Sequence, residues 1–120
     1  MMKNDLCKRL FDFAVDTIQV IKKLPMSPEN KIIRYQLAKS STSSGANYEE
    51  AQAGSSKADF ANKIKIALKE MRESNYWLRI IIATNEINEP LTRDIKLLID
   101  ESEQLKKILA KIIITAKTNT

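Results

Sequence analysis

Histidine is absent from this chain, cysteine occurs once, glycine twice and proline three times. Without histidine the commonest metal ligand is missing, as is the one side chain that titrates near neutrality unperturbed. Carboxylate-bridged metal sites in helix bundles draw a Glu-x-x-His pair from two helices, so that site cannot be built here. Cys7 alone supports neither an intrachain disulfide nor a thiolate cluster for zinc. No segment approaches the roughly 20 apolar residues needed to span a bilayer. The stretch carrying Asp5, Lys8, Arg9, Asp12 and Asp16 lacks the apolar run of a secretory signal, so a cytoplasmic protein is expected. Catalysis is not expected either. Glu70 and Glu73 are spaced to act as an acid/base pair, but no nucleophile or phosphate-cradling glycine loop accompanies them. Lys39 and Ser40 form no dyad, because adjacent helix positions point about 100° apart. With so few turn-forming residues the elements must be few and long, which favours helices over strands.

The 120 residues suit one domain, 1–120, with 43% hydrophobic and 29% charged residues, a balance typical of a globular protein with its own core. Proline and glycine mark the joints of four helices. The first is expected from about Asp5 to Leu24, stopped by Pro25. Ser27 suits the N-cap of the second, with Pro28 at the first helical position and Glu29 in the first turn. That helix is expected to reach about Ala53 and to stop at Gly54. Ser56-Lys57-Ala58-Asp59 resembles a capping box opening the third helix, which continues to about Asn85. Asn88-Glu89-Pro90 opens the fourth, which ends near Lys117.

The apolar spacing supports those helices. Leu91, Ile95, Leu98, Ser102, Leu105, Leu109, Ile112 and Ala116 alternate steps of four and three, the heptad pattern of packed helices. Phe60, Ile64, Ala67, Met71, Ser74, Leu78 and Ile81 repeat it. Short joints between long helices imply antiparallel neighbours, hence an all-α, up-down-up-down four-helix bundle. The first helix has two stripes, one through Leu6, Leu10, Phe13, Thr17, Val20 and Leu24, the other through Cys7, Phe11, Ala14, Ile18 and Ile21. Together with the Ile80-Ile81-Ile82 run they exceed what one seam buries, which predicts a homo-oligomer.

The second helix turns from apolar to small and hydroxylated over Lys39–Ala53. Small mid-helix residues have poor propensity, Gly45 alone costing about 1 kcal/mol relative to Ala, so tertiary packing must favour them. Two arrangements fit. Ser40, Ser43, Asn47 and Glu50 form a buried polar network with Glu70 and Glu73, or the small side chains allow a close helix crossing with solvated glutamates at its edge.

The net charge is +5, and antiparallel folding sorts it by height. The end holding the chain termini and the second joint carries ten basic against five acidic side chains, Lys3 among the former. The opposite end is milder and the middle band is acidic. A positive end repeated around a ring sums into a stronger field than one subunit makes. Lys8, Arg9, Lys63, Lys65, Lys106, Lys107 and Lys111 are the candidate contacts to RNA or DNA. Lysines outnumber arginines fifteen to five, and no aromatic stands out beside the basic end, which argues against sequence-specific readout and against base stacking. The competing reading is a protein-interaction or scaffold module with ordinary solubilising lysines.

The run SSTSSGANYEEA, followed by SSKADF and IALKEMRESNYWL, resembles the four-helix-bundle family encoded by intervening sequences in 23S ribosomal RNA genes, also called the S23 ribosomal protein family. That family is similar in turn to the accessory variability determinant of diversity-generating retroelements. The resemblance spans the whole chain and is most specific over Ser40–Leu78. It implies a bacterial, cytoplasmic, ring-like homo-oligomer, a pentamer, and transfers no activity; the residues themselves lead to no expected cofactor or catalytic group. For the retroelement relatives it also implies nucleic-acid binding and association with a reverse transcriptase. Ser40, Ser43, Asn47, Glu50, Asp59, Phe60, Glu70, Glu73, Trp77 and Leu78 match the family pattern and read as framework. Tyr48-Glu49-Glu50-Ala51 departs from the commoner form, a small apolar pair followed by Glu, Gly and a basic residue, and places the chain in a side branch.

Overall fold

The computed structural model describes residues 3–54 and 56–118, with side chains from 5 to 117 apart from 55. Four helices account for nearly all of it: α1 (Lys3–Ile21), α2 (Pro28–Gln52), α3 (Lys57–Thr84) and α4 (Leu91–Thr118). They pack side by side in chain order around one core, and the diagonal pairs do not approach each other. The result is an antiparallel four-helix bundle of 48 × 25 × 20 Å. The tightest seam is α2–α3 and the most open is α1–α4.

The helix starts follow from local chemistry. Ser27 and Ser56 are extended N-caps whose hydroxyls accept from the amides of Asn30 (3.0 Å) and Asp59 (3.1 Å). Each thus satisfies a donor that the first helical turn leaves unpaired. Gly54 sits past the end of α2 at φ +92°, in the left-handed region that glycine enters at little cost. One boundary differs from expectation, since α1 ends at Ile21 and not at Leu24. A residue before proline is pushed out of the α region. The chain tightens instead, with Lys23 N–H donating to Val20 O at 3.0 Å and Leu24 N–H to Ile21 O at 3.3 Å. Leu24 still reaches the core, 3% exposed.

The expected stripes form that core. Leu10, Phe13 and Thr17 of α1, Ile64, Met71 and Leu78 of α3, and Ile95, Leu105 and Leu109 of α4 are buried. The isoleucine run of α3 is not spare surface: Ile81 is fully buried, and Ile80 and Ile82 pack against the core. The surplus lies largely on α1, α2 and their joint, with Leu97 and Ile114 of α4 exposed as well. Phe11, Met26, Ile32 and Tyr35 are all more than 60% exposed.

The small-residue face is a close crossing stitched by hydroxyls. Ser40 Oγ lies 2.8 Å from Ser74 Oγ, which donates to Glu70 O at 3.0 Å, and Ser44 Oγ donates to Ala67 O at 2.8 Å. A Cβ on Gly45 would stand 3.3 Å from Leu10 Cβ, so glycine allows α1 and α2 to meet there. The expected network to the glutamate side chains does not form. Asn47 turns back along its own helix to Ser43, with its amide nitrogen 2.9 Å from the carbonyl and 3.1 Å from the hydroxyl, and Glu50 is exposed.

Candidate nucleic-acid interface

The seven basic residues singled out from the sequence do not make one surface. Lys8 and Arg9 lie on α1, Lys63 and Lys65 on α3, and these two helices occupy opposite corners of the bundle. Three of the seven are tied to carboxylates. Lys8 Nζ is 2.7 Å from Asp12 Oδ2 within α1. Lys106 Nζ is 2.9 Å from Glu103 Oε1, which holds the Glu103 carboxyl below its usual range. Arg9 forms a fork across the α1–α4 seam, with Nε 2.9 Å from Glu101 Oε2, Nη2 2.6 Å from Oε1, and Nη2 donating to Gln104 at 3.1 Å. A half-buried bidentate pair spends arginine on holding helices together. Lys65, Lys107 and Lys111 are exposed, Lys63 is partly covered, and no carboxylate lies within ion-pair distance of these four. The Lys3 side chain, counted with this end, lies outside the described residues.

A second basic surface runs lengthwise along α3. Lys65, Lys69, Arg72, Tyr76 and Arg79 recur at steps of four and three on the helix face opposite its core stripe, and all five are exposed. No carboxylate lies within ion-pair distance of Lys65, Lys69 or Arg72. Arg79 is held in place: its Nε donates to Asn75 Oδ1 at 2.9 Å, and its guanidinium carbon stands 5.6 Å from the centre of the Tyr76 ring. Buried Asn75 is itself fixed by α4, with Nδ2 2.8 Å from Ser102 Oγ and 2.9 Å from Glu103 Oε1. Trp77 meets the Tyr76 ring edge-on, centroids 5.6 Å apart. In the antiparallel α3–α4 pair, the turn before Asn75 is level with the turn after Ser102.

The sequence reading missed this stripe because charges were sorted by height along the bundle and not by angle around each helix. The signal was readable as the second period-3.5 series in α3, offset from the apolar one. The Asn75–Ser102 contact had no such signal, since nothing in one helix says which polar residue of another will face it.

The acidic pair Glu70–Glu73 flanks the stripe on the α2 side. Burial, then a hydrogen bond and charge repulsion from Glu73, push the Glu70 carboxyl from 4.5 up to about 7, against the pull of Lys69 and Lys39. Glu70 Oε2 is buried without a hydrogen-bond partner. Among the described residues no group of three or more His, Cys, Asp or Glu is arranged to hold a metal ion, and no helix is long and apolar enough to cross a membrane.

Residues 2–111 match the family model of the 23S rRNA-intervening sequence protein. The chain belongs to that family. A crystal structure of a protein of unknown function from the S23 ribosomal protein family of Bacteroides thetaiotaomicron VPI-5482 has the same fold, at TM-score 0.78 and 34% identity, covering 90% of this chain and 97% of that one. No curated protein matches. Both findings agree with the resemblance carried by Ser40–Leu78.

Proposed function

We propose that this family member is a non-catalytic homo-oligomeric bundle that binds RNA or DNA through basic surface, without sequence specificity. The observation that carries the reading is the set of exposed cations on α3 and α4 with no carboxylate at ion-pair distance, Lys65, Lys69, Arg72, Lys107 and Lys111. Cations with no carboxylate at ion-pair distance can displace counterions from a phosphate backbone, a sequence-independent source of affinity. Lysine-rich contacts favour backbone over base edges.

Oligomerisation is supported by a continuous apolar face between α1 and α2. A groove of about 570 Å³ is lined by Phe11, Ala14, Val15 and Ile18 from α1 and by Gly45 and Ala46 from α2. Through Ile18 it joins a second hollow containing Met26 and Tyr35. Glu49 and Glu50 rim the first hollow, and Lys22 and Arg34 rim the second. Opposite charges at the two ends of one apolar strip suit a second copy of the chain. They do not suit a polyanion.

Filter binding of generic RNA at low and high salt tests the nucleic-acid reading. Retention should fall steeply with salt, by a log–log slope of about −0.7 per phosphate contact on single strands. Absence of retention even at low salt would replace this reading with a protein-interaction scaffold.

A further inference from the structure

The exposed face of α3 lines up three cations without ion pairs with a tyrosine half in solvent and an arginine held beside its ring, and it is the aromatic and the held arginine that set this face apart from other lysine-bearing surface. We propose that this face is a track for a single-stranded polynucleotide, its phosphates on Lys65, Lys69, Arg72 and Arg79 and one base stacked at Tyr76. The inference deepens the nucleic-acid reading above and rests on it.

Three features argue for a single strand. Arg79 lies fourteen residues beyond Lys65, or about 21 Å at 1.5 Å per residue, a length for several nucleotides on a straight support. Base stacking needs an exposed aromatic, and Tyr76 is 50% exposed. A duplex keeps its bases stacked on one another, so the aromatic would go unused there. The platform is also preorganised. Asn75 takes the Arg79 Nε, leaving the rest of the fork to a phosphate, and Trp77 buttresses the tyrosine ring. Side chains already held lose less freedom on binding. Cations that follow the backbone beside an aromatic platform are the usual arrangement for sequence-tolerant single-strand binding. Of the nearby carboxylates, Glu103 is engaged by Lys106 and by Asn75.

The test uses the full chain and three probes of matched length: a labelled single-stranded oligouridylate, a duplex, and inorganic polyphosphate. The sole tryptophan adjoins the tyrosine, so stacking at Tyr76 should change Trp77 fluorescence with the oligouridylate and leave it unchanged with polyphosphate. Tyr76→Ala should weaken oligouridylate binding roughly five- to hundredfold with an unaltered salt slope. The triple variant Lys65→Gln, Lys69→Gln, Arg72→Gln should reduce the slope by about 2, from about 0.7 per lost contact. Lys107→Gln with Lys111→Gln should weaken all three probes alike and leave the Trp77 response to bound oligouridylate unaltered. Circular dichroism checks that each variant folds, and the wild-type fluorescence comparison stands whether or not they do. Equal response to polyphosphate and oligouridylate, or loss of binding in the Lys107/Lys111 variant alone, overturns the track while leaving nucleic-acid binding intact. No binding of any probe by the wild type overturns both.

Discussion

At the residue scale, two positions are governed by contacts their own chemistry disfavours. Gly45 weakens its helix but leaves room for Leu10, whose Cβ would stand 3.3 Å from any added Cβ. Gly45→Leu is expected to lose about 1–3 kcal/mol by over-packing, despite the better propensity of leucine. Gly45→Ala should be close to neutral, the tight contact offsetting a propensity gain of about 1 kcal/mol. Urea denaturation of the two variants beside wild type measures this, and a more stable leucine variant would show that α1 and α2 do not meet there. Glu70 is the second case, its carboxyl raised from 4.5 to about 7 by burial and by Glu73. A raised acid favours the protonated folded state. Its contribution is therefore complete below about pH 4.5 and is lost as pH rises through about 7. Glu70→Gln, fixed in the neutral form, should match wild type near pH 4.5 and exceed it above about pH 8. The margin should be about 1 kcal/mol, reduced by solvent screening of a partly exposed pair. Thermal melts across that range test the sign.

At the scale of elements, the four helices are not equally bound. The α2–α3 and α3–α4 seams are long and carry buried polar ties, Ser40 to Ser74 and Asn75 to Ser102. The α1–α4 seam is open, and its main polar link is the Arg9–Glu101 fork. A local opening that releases α1 should therefore cost least, so α1 amides should exchange with deuterium before those of α2 and α3. Arg9→Ala should speed α1 exchange further and lower stability by about 1–2 kcal/mol, since the pair is charge-assisted and only partly exposed. Uniform exchange across all four helices would refute that order. The Lys106–Glu103 pair matters here as well: reversing Lys106 to glutamate would place two carboxylates together in the α3–α4 network. For that reason Lys107 and Lys111 are the cleaner positions for testing the basic end.

At the scale of the whole molecule, the distribution of surface decides what the bundle can join. The apolar groove lies between α1 and α2, away from the α3 stripe of Lys65, Lys69 and Arg72, so the proposed self-association and polyanion binding would use different faces. Light scattering at micromolar concentration should give a mass several times 13.7 kDa, and Phe11→Asp should shift it toward that of one chain by placing a charge in the apolar groove. A wild-type monomer would remove the oligomer and the summed field of a ring. The two faces are separable in the same experiment. Phe11→Asp should leave the affinity of an isolated chain for oligouridylate unchanged while abolishing any gain from several copies acting together.

The helices, their starts and their core faces could be read from the sequence alone. Caps, proline and period-3.5 apolar stripes act within one or two turns of the chain, and Ser27, Ser56 and the stripe through Ile64, Met71 and Leu78 stand where that local chemistry puts them. The family was legible for the same reason, in the contiguous run Ser40–Leu78. Contacts between helices were not. Whether Ser40 meets Ser74 or a glutamate, whether Arg9 faces solvent or Glu101, and whether Ile80 is surface or core depend on the rotation and height of one helix against another. Those are set by how all four apolar stripes fit together at once. A residue's spacing along its own helix fixes its angle on that helix; only the packed bundle fixes what stands opposite.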